Sequence, residues 1–229
     1  MRVAQLVASR VARWPLLAPF GSTRHTVVCV TTIPKPGRDT REVILDSAQR
    51  IMSRRGYAAV GLNEVLADAG VPKGSFYHFF GSKDAFGEAM MRRYFVDYLA
   101  DMDTVFATVG LDAAQRLLRY FEAWERDQVD EQQQNKCLAV KLGAEVADLS
   151  ETMRAALQDG VAAITQRIAD VLAEGLADGS LSLEWSVQET AHILYDVWFG
   201  ASVVAKINRD GAPLATAYRV TQALLHVAS

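Results

Sequence analysis

The chain has 229 residues, half of them hydrophobic, a formal charge of −3 and two cysteines. It is long enough for one or two domains with a sizeable core, and no stretch reaches the roughly 18 consecutive apolar residues of a membrane-spanning helix. Two cysteines also leave no material for a zinc site built from cysteines, and Cys29 lies in an atypical segment, so a structural disulfide is not expected either. The charge is unevenly spread: residues 1–38 carry six Lys or Arg and no acid, residues 39–98 eight of each sign, and residues 99–229 ten basic and nineteen acidic side chains. An acidic C-terminal part repels phosphate, so any nucleic-acid surface belongs to the N-terminal half.

Residues 1–38 are Arg-rich and broken by Pro15, Pro19, Pro34 and Pro36. Arg10 and Arg13 interrupt what would otherwise resemble a secretory apolar core. The segment is expected to be a disordered basic arm adding nonspecific DNA affinity, or the product of a start codon assigned upstream of true initiation near Val30. Asp39-x-x-Glu42 reads as a capping box opening a helix that buries Val43, Ile44, Ala48 and Ile51 and stops at Gly56.

Next, Leu62, Val65, Leu66 and Ala69 recur at helical spacing, and Gly70 supplies the left-handed residue that ends a helix. Pro72 can start a helix but not continue one, so Val71 and Pro72 form a turn into a second short helix, 73–80. Two short helices joined by a tight turn are a helix-turn-helix. On the second, Phe76, Phe79 and Phe80 share a face, which turns Lys73, Ser75, Tyr77 and His78 outward toward a major groove. Ser82 caps a longer helix whose stripe Phe86, Met90, Tyr94, Tyr98, Met102 and Phe106 links this head to the rest of the chain.

Further helices are expected at 112–128, 137–147, 151–177, 187–208 and 213–227, with Ser186-x-x-Glu189 a second capping box and Gly179 and Gly211 at turns. No segment alternates like a strand, so the fold class is all-α. The three-helix head with its helix-turn-helix occupies 39–84 and a second helical domain 85–229. In the last two helices Ile193, Leu194, Val197, Trp198, Phe199, Val203, Val204, Tyr218, Val220, Leu224 and Leu225 leave little polar surface, and such helices must be covered.

The segment AGVPKGSFYHFFGSK resembles the signature of the TetR family of transcriptional repressors, over about residues 39–98. The resemblance implies that Lys73, Gly74, Ser75, Tyr77 and His78 face double-stranded operator DNA, with Lys83 on a phosphate. That suits the chemistry: lysines neutralise phosphates, Gly74 admits close backbone approach, and hydroxyls bond phosphate oxygens or base edges. It also implies that 85–229 is a sensing and dimerisation domain, and a homodimer paired through the last two helices on a palindromic site.

What the body senses is read from Cys137 and Lys206. Cys137 lies beside Lys136, four residues before Lys141 and near a helix start, and both features favour thiolate. The plain alternative is a small hydrophobe in a core position. CLAVKLGAEVADLSETMRAAL followed by LYDVWFGASVVAKINRDGAPL is similar to the NemR-like branch, repressors of N-ethylmaleimide reductase. That resemblance implies operator release when a reactive electrophile or oxidant modifies Cys137, with Lys206 as partner; Lys136 stands where such relatives usually have Gly. The AcuR-like branch shares the head, the cysteine and the lysine. It implies reversible binding of a small unsaturated carboxylic acid, paired with Lys206 or Arg209, in a cavity that Trp124, Tyr195, Trp198 and Phe199 could line, unless these are ordinary core.

An enzyme is the remaining class. His192 and Asp196 lie one turn apart with Glu189 nearby, but nucleophile motif, phosphate-cradling loop and metal-ligand spacing are missing. The expectation is a cytoplasmic repressor, with no catalytic residues, metal or cofactor, that binds operator DNA, itself and a small effector, and no membrane.

Overall fold

The computed structural model describes residues 39–129 and 138–226. The basic segment 1–38 and Cys137 lie outside them. Among the described residues every regular element is a helix.

The head comprises α1 (Thr40–Arg55), α2 (Leu62–Ala69) and α3 (Lys73–Phe80). Asp39 caps α1, but its carboxylate accepts from the Arg41 amide at 3.0 Å, and Glu42 turns away to pair with Arg41 and Arg93 instead of completing the reciprocal box. A stronger partner for Glu42 outside the helix wins over its own N-terminus. Ile44, Leu45, Ala48 and Met52 are buried, with Val43 and Ile51 half-buried at the margin. Gly70 ends α2 at φ 66, ψ 30, a conformation that costs glycine nothing. The amide of Val71 bonds back to the Leu66 carbonyl at 3.0 Å, and Pro72 stands immediately before α3.

Ser82 then caps α4 (Lys83–Phe106), its hydroxyl accepting from the Ala85 amide at 3.1 Å. The expected stripe is buried at Phe86, Met90, Tyr94, Met102 and Phe106, with Tyr98 partly so. A second buried line, Met91 and Phe95, faces the body. Arg93 fastens α4 to α1, donating to the Glu42 carbonyl at 3.3 Å and reaching the carboxylates of Glu42 at 3.1 Å and Asp46 at 2.6 Å.

The body is α5 (Ala113–Val129), α6 (Leu138–Leu149), α7 (Glu151–Asp178), α8 (Val187–Asn208) and α9 (Ala212–Leu225). α5 starts one residue late because Asp112 caps it: Asp112 accepts from the Gln115 amide at 2.8 Å and Gln115 accepts from the Asp112 amide at 3.1 Å. The Ser186–Glu189 box is present in full. α8 ends on Arg209, in the left-handed region at φ 53, rather than at Gly211, which precedes α9. α7 is the hub against which α4, α5, α6 and α8 pack, while α9 lies on α8 and α5. At Gly160 the helix has no side chain, and the ring of Phe95 fills the place a Cβ would take, so α4 meets the backbone of α7 at mid-length.

Trp198 stacks on Phe121 at 4.9 Å and donates to Thr221 at 2.8 Å, and Trp124 donates to Ser202 at 2.9 Å. Buried indoles find partners. Trp198 is therefore core, not cavity wall.

Candidate nucleic-acid interface

α3 is oriented by its aromatic residues. Phe76 and Phe80 are buried and, with Phe86 of α4, form a cluster with centroids 5.0 to 5.3 Å apart. A three-ring contact of this kind fixes helix rotation, because each ring prefers an edge-to-face or tilted neighbour. The opposite face then has no choice. Lys73, Gly74 and His78 are exposed, Tyr77 is 53% exposed, and Ser75 is half-buried rather than fully outward. Phe79 lies between the two faces.

Lys83 is exposed one residue past Ser82, its ammonium 5.2 Å from the Tyr57 ring centroid while its carbonyl accepts from the Tyr57 hydroxyl at 3.3 Å. Neither Lys73 nor Lys83 forms an ion pair among the described residues, whereas Arg41, Arg50 and Arg55 of the head and Arg93 of α4 are paired. Arg50 bonds Asp68, Arg55 bonds Glu64 at 2.5 Å, and Arg93 bonds Glu42 and Asp46. The neutral sum of residues 39–98 thus conceals acids spent on internal ties and lysines left facing water. Ser47 and Arg50 hold the Asp68 carboxyl below its ordinary range against the opposing effect of desolvation.

A tie that sequence pattern did not reveal joins head to body. Glu145 of α6 accepts from two successive backbone amides between α1 and α2, Ala58 at 2.5 Å and Tyr57 at 3.3 Å. Those amides have no other partner in the head, so a carboxylate from the body completes the bend after Gly56. Burial raises the Tyr57 phenol to about 12, helped by the negative charges of Asp84 and Glu145. Sequence carried one faint signal: Glu145, one turn beyond Lys141 on a mostly apolar helix.

Lys206 is exposed in the last turn of α8, and Arg209 is exposed just beyond. Cys137 lies outside the described residues, immediately before α6. Tyr195 is buried and Phe199 half-buried beside Trp124; Phe199 also lines a shallow apolar groove with Ala139, Gly143 and His192. His192 and Asp196 are both exposed, and no hydrogen bond or ion pair joins them, so they form no acid–base pair. Among the described residues no group of three or more His, Cys, Asp or Glu could hold a metal ion, and no helix is long and apolar enough to cross a membrane.

Residues 44–90 match the domain described as bacterial regulatory proteins, tetR family, and residues 113–221 the tetracyclin repressor-like C-terminal domain. The chain is 36% identical over 179 residues to the HTH-type transcriptional repressor NemR of Escherichia coli K12, covering 78% of this chain and 90% of that one. It is 32% identical over 163 residues to the transcriptional regulator AcuR of Cereibacter sphaeroides, covering 71% and 74%. The crystal structure of E. coli NemR in its reduced form superposes with a TM-score of 0.79 at 34% identity, covering 84% of this chain and all of that one. These relatives are regulators rather than enzymes.

Proposed function

The chain belongs to the TetR family and is a DNA-binding transcriptional repressor similar to NemR, and from that premise we propose that it releases its operator when an electrophile or oxidant modifies Cys137. In this reading residues 39–84 bind DNA and residues 85–229 sense and dimerise, in the cytoplasm where the operator lies. Lys73, Gly74, Ser75, Tyr77 and His78 enter a major groove and Lys83 holds a phosphate. The observation that supports the groove assignment is the aromatic lock on α3, which leaves one polar face and two unpaired lysines pointing away from the core.

The sensing half rests on position. Cys137 immediately precedes α6, and two turns along that helix Glu145 grips the head. With a quinone or an α,β-unsaturated aldehyde, the thiolate adds to the β-carbon. A carbon–sulfur bond forms, the π electrons move onto the carbonyl oxygen as an enolate, and a proton from solvent or from Lys206 completes the adduct. Nothing leaves, so the added volume stays at the start of α6. Displacing that helix pulls on the Glu145 contact and shifts the population toward heads that no longer fit consecutive grooves. That the related NemR crystal is described as a reduced form supports a redox-sensitive reading.

The outward stripe Ile193, Asp196, Gly200, Val203 and Ile207 on α8, with Ile207 73% exposed, supports pairing of two copies through α8 and α9. The test is a gel shift on a fragment selected from a random-sequence DNA pool, with a quinone and with or without reductant. Wild type and Cys29→Ser should release the fragment and Cys137→Ser should hold it. Release of Cys137→Ser by quinone would refute the thiol switch, and release of wild type by acrylate alone would favour the reversible carboxylic-acid reading.

A further inference from the structure

A cavity of about 300 Å³ opens where α1, α4 and α5 meet. Its volume lies at the lower end of the range for small-molecule sites, about 300–1,000 Å³. Four aromatic rings form its walls: Tyr94 and Tyr98 from α4, Tyr120 and Trp124 from α5. They are mutually braced, Tyr94 on Tyr98 with centroids 5.8 Å apart, Tyr120 on Trp124 at 5.9 Å, and the Tyr98 and Tyr120 hydroxyls bonded at 2.9 Å. The polar part of the lining is one-sided. Three carboxylates, Asp97, Asp101 and Asp127, face it, with Gln49 of α1, and among the described residues no Lys, Arg or His lines it.

Charge decides the ligand class. Arg93 approaches Asp97 only at 3.7 Å and is already engaged by Glu42 and Asp46, and Asp101 has no ion pair among the described residues. A carboxylate ligand entering here would meet the like charges of Asp97 and Asp101 among four aromatic side chains. A cation would be attracted by both, since ring faces attract positive charge within about 6 Å and carboxylates do so over a longer range. We propose that this cavity is an effector site for a small organic cation, an alkyl- or aryl-ammonium whose apolar part lies between the tyrosines and Trp124 while its charge faces Asp97, Asp101 and Asp127.

The site is separate in chemistry from the proposed thiol switch, because no bond is made or broken on binding. Its position gives it a readout. Gln49 belongs to the head, α4 carries the head, and α5 belongs to the body, so an occupant touches all three and favours whichever head position holds it best.

The experiment is calorimetry on the full chain with benzyltrimethylammonium, its uncharged carbon isostere neopentylbenzene, and phenylacetate. We expect one saturable site per subunit for the cation and at least roughly tenfold weaker binding of the other two. Asp101→Asn should weaken the cation by roughly threefold or more and Asp101→Lys should abolish binding. Both substitutions sit at an exposed position without an ion pair and should leave the melting temperature unchanged. Cys137→Ser should bind the cation as wild type does, which separates this site from the thiol switch. Saturating cation should also change affinity for the selected DNA fragment. Equal binding of the uncharged isostere or of phenylacetate, indifference to Asp101→Lys, or unaltered DNA affinity at saturation would each overturn the proposal.

Discussion

Phe76 and Tyr77 are adjacent and similar in size, yet the first is buried and the second half-exposed. Their substitutions should therefore fail differently. Phe76→Ala should cost about 3–5 kcal/mol of stability, since it empties the centre of the Phe76–Phe80–Phe86 cluster. Tyr77→Ala should leave the melting temperature within a degree or two but weaken operator binding by about 1–3 kcal/mol, roughly five- to a hundredfold in a gel shift. A Tyr77→Ala protein that melts early and binds DNA normally would move this ring from the groove to the core. At this scale the helical period made most of α3 legible, because four consecutive residues cannot all face one way. It misjudged Ser75, which is half-buried, since period alone does not say how wide the covered stripe is. The role proposed for Glu42 in capping failed for a related reason. A local motif competes with distant partners, and Arg93, 51 residues away, was invisible to local spacing.

Among elements, α6 has the most consequential contact for its length. Glu145 bonds two amides of the α1–α2 connection, and charge-assisted bonds to backbone are worth more than neutral ones. Glu145→Ala should destabilise head docking by roughly 1.5–3 kcal/mol and speed hydrogen exchange at the Tyr57 and Ala58 amides far more than at the α7 core. Glu145→Gln keeps an acceptor and should lie between. If exchange at those amides is unchanged in Glu145→Ala, the contact does not couple the two parts. The placing of Glu145 one turn beyond Lys141 is only a faint signal of this grip, because an acid on a helix usually faces water. The same holds for the ammonium site, although a trace was present: Tyr94, Asp97, Tyr98 and Asp101 repeat at three- and four-residue steps, which places rings and acids on one strip of α4.

At the scale of the molecule, the order and approximate limits of the nine helices among the described residues were readable, because caps and left-handed glycines punctuate the chain. Which helices cover which was not, since nearly all-apolar segments such as 193–204 carry no directional signal; α7 as hub emerges only in three dimensions. The pairing proposed for α8 and α9 can be tested without disturbing the fold. Gly200 is exposed and a Cβ there would meet nothing within 4 Å, so Gly200→Arg should fold with equal or greater helix stability. It should nonetheless run as a monomer in sedimentation and lose high-affinity binding to the selected DNA, whereas a dimer of unchanged stability would place the interface elsewhere.

The seat of Phe95 on Gly160 has a mechanical corollary. Phe95 lies twelve residues after Lys83 and eleven before Phe106, so about 18 Å of helix runs to one end and about 17 Å to the other. A rod clasped at its midpoint cannot slide, but it can rock about that fulcrum with arms of matched length. A nudge from an ammonium ion where α4 meets α5 would reappear with similar amplitude and opposite direction beneath α3, and two such see-saws in a pair would change the spacing of their outer tips together.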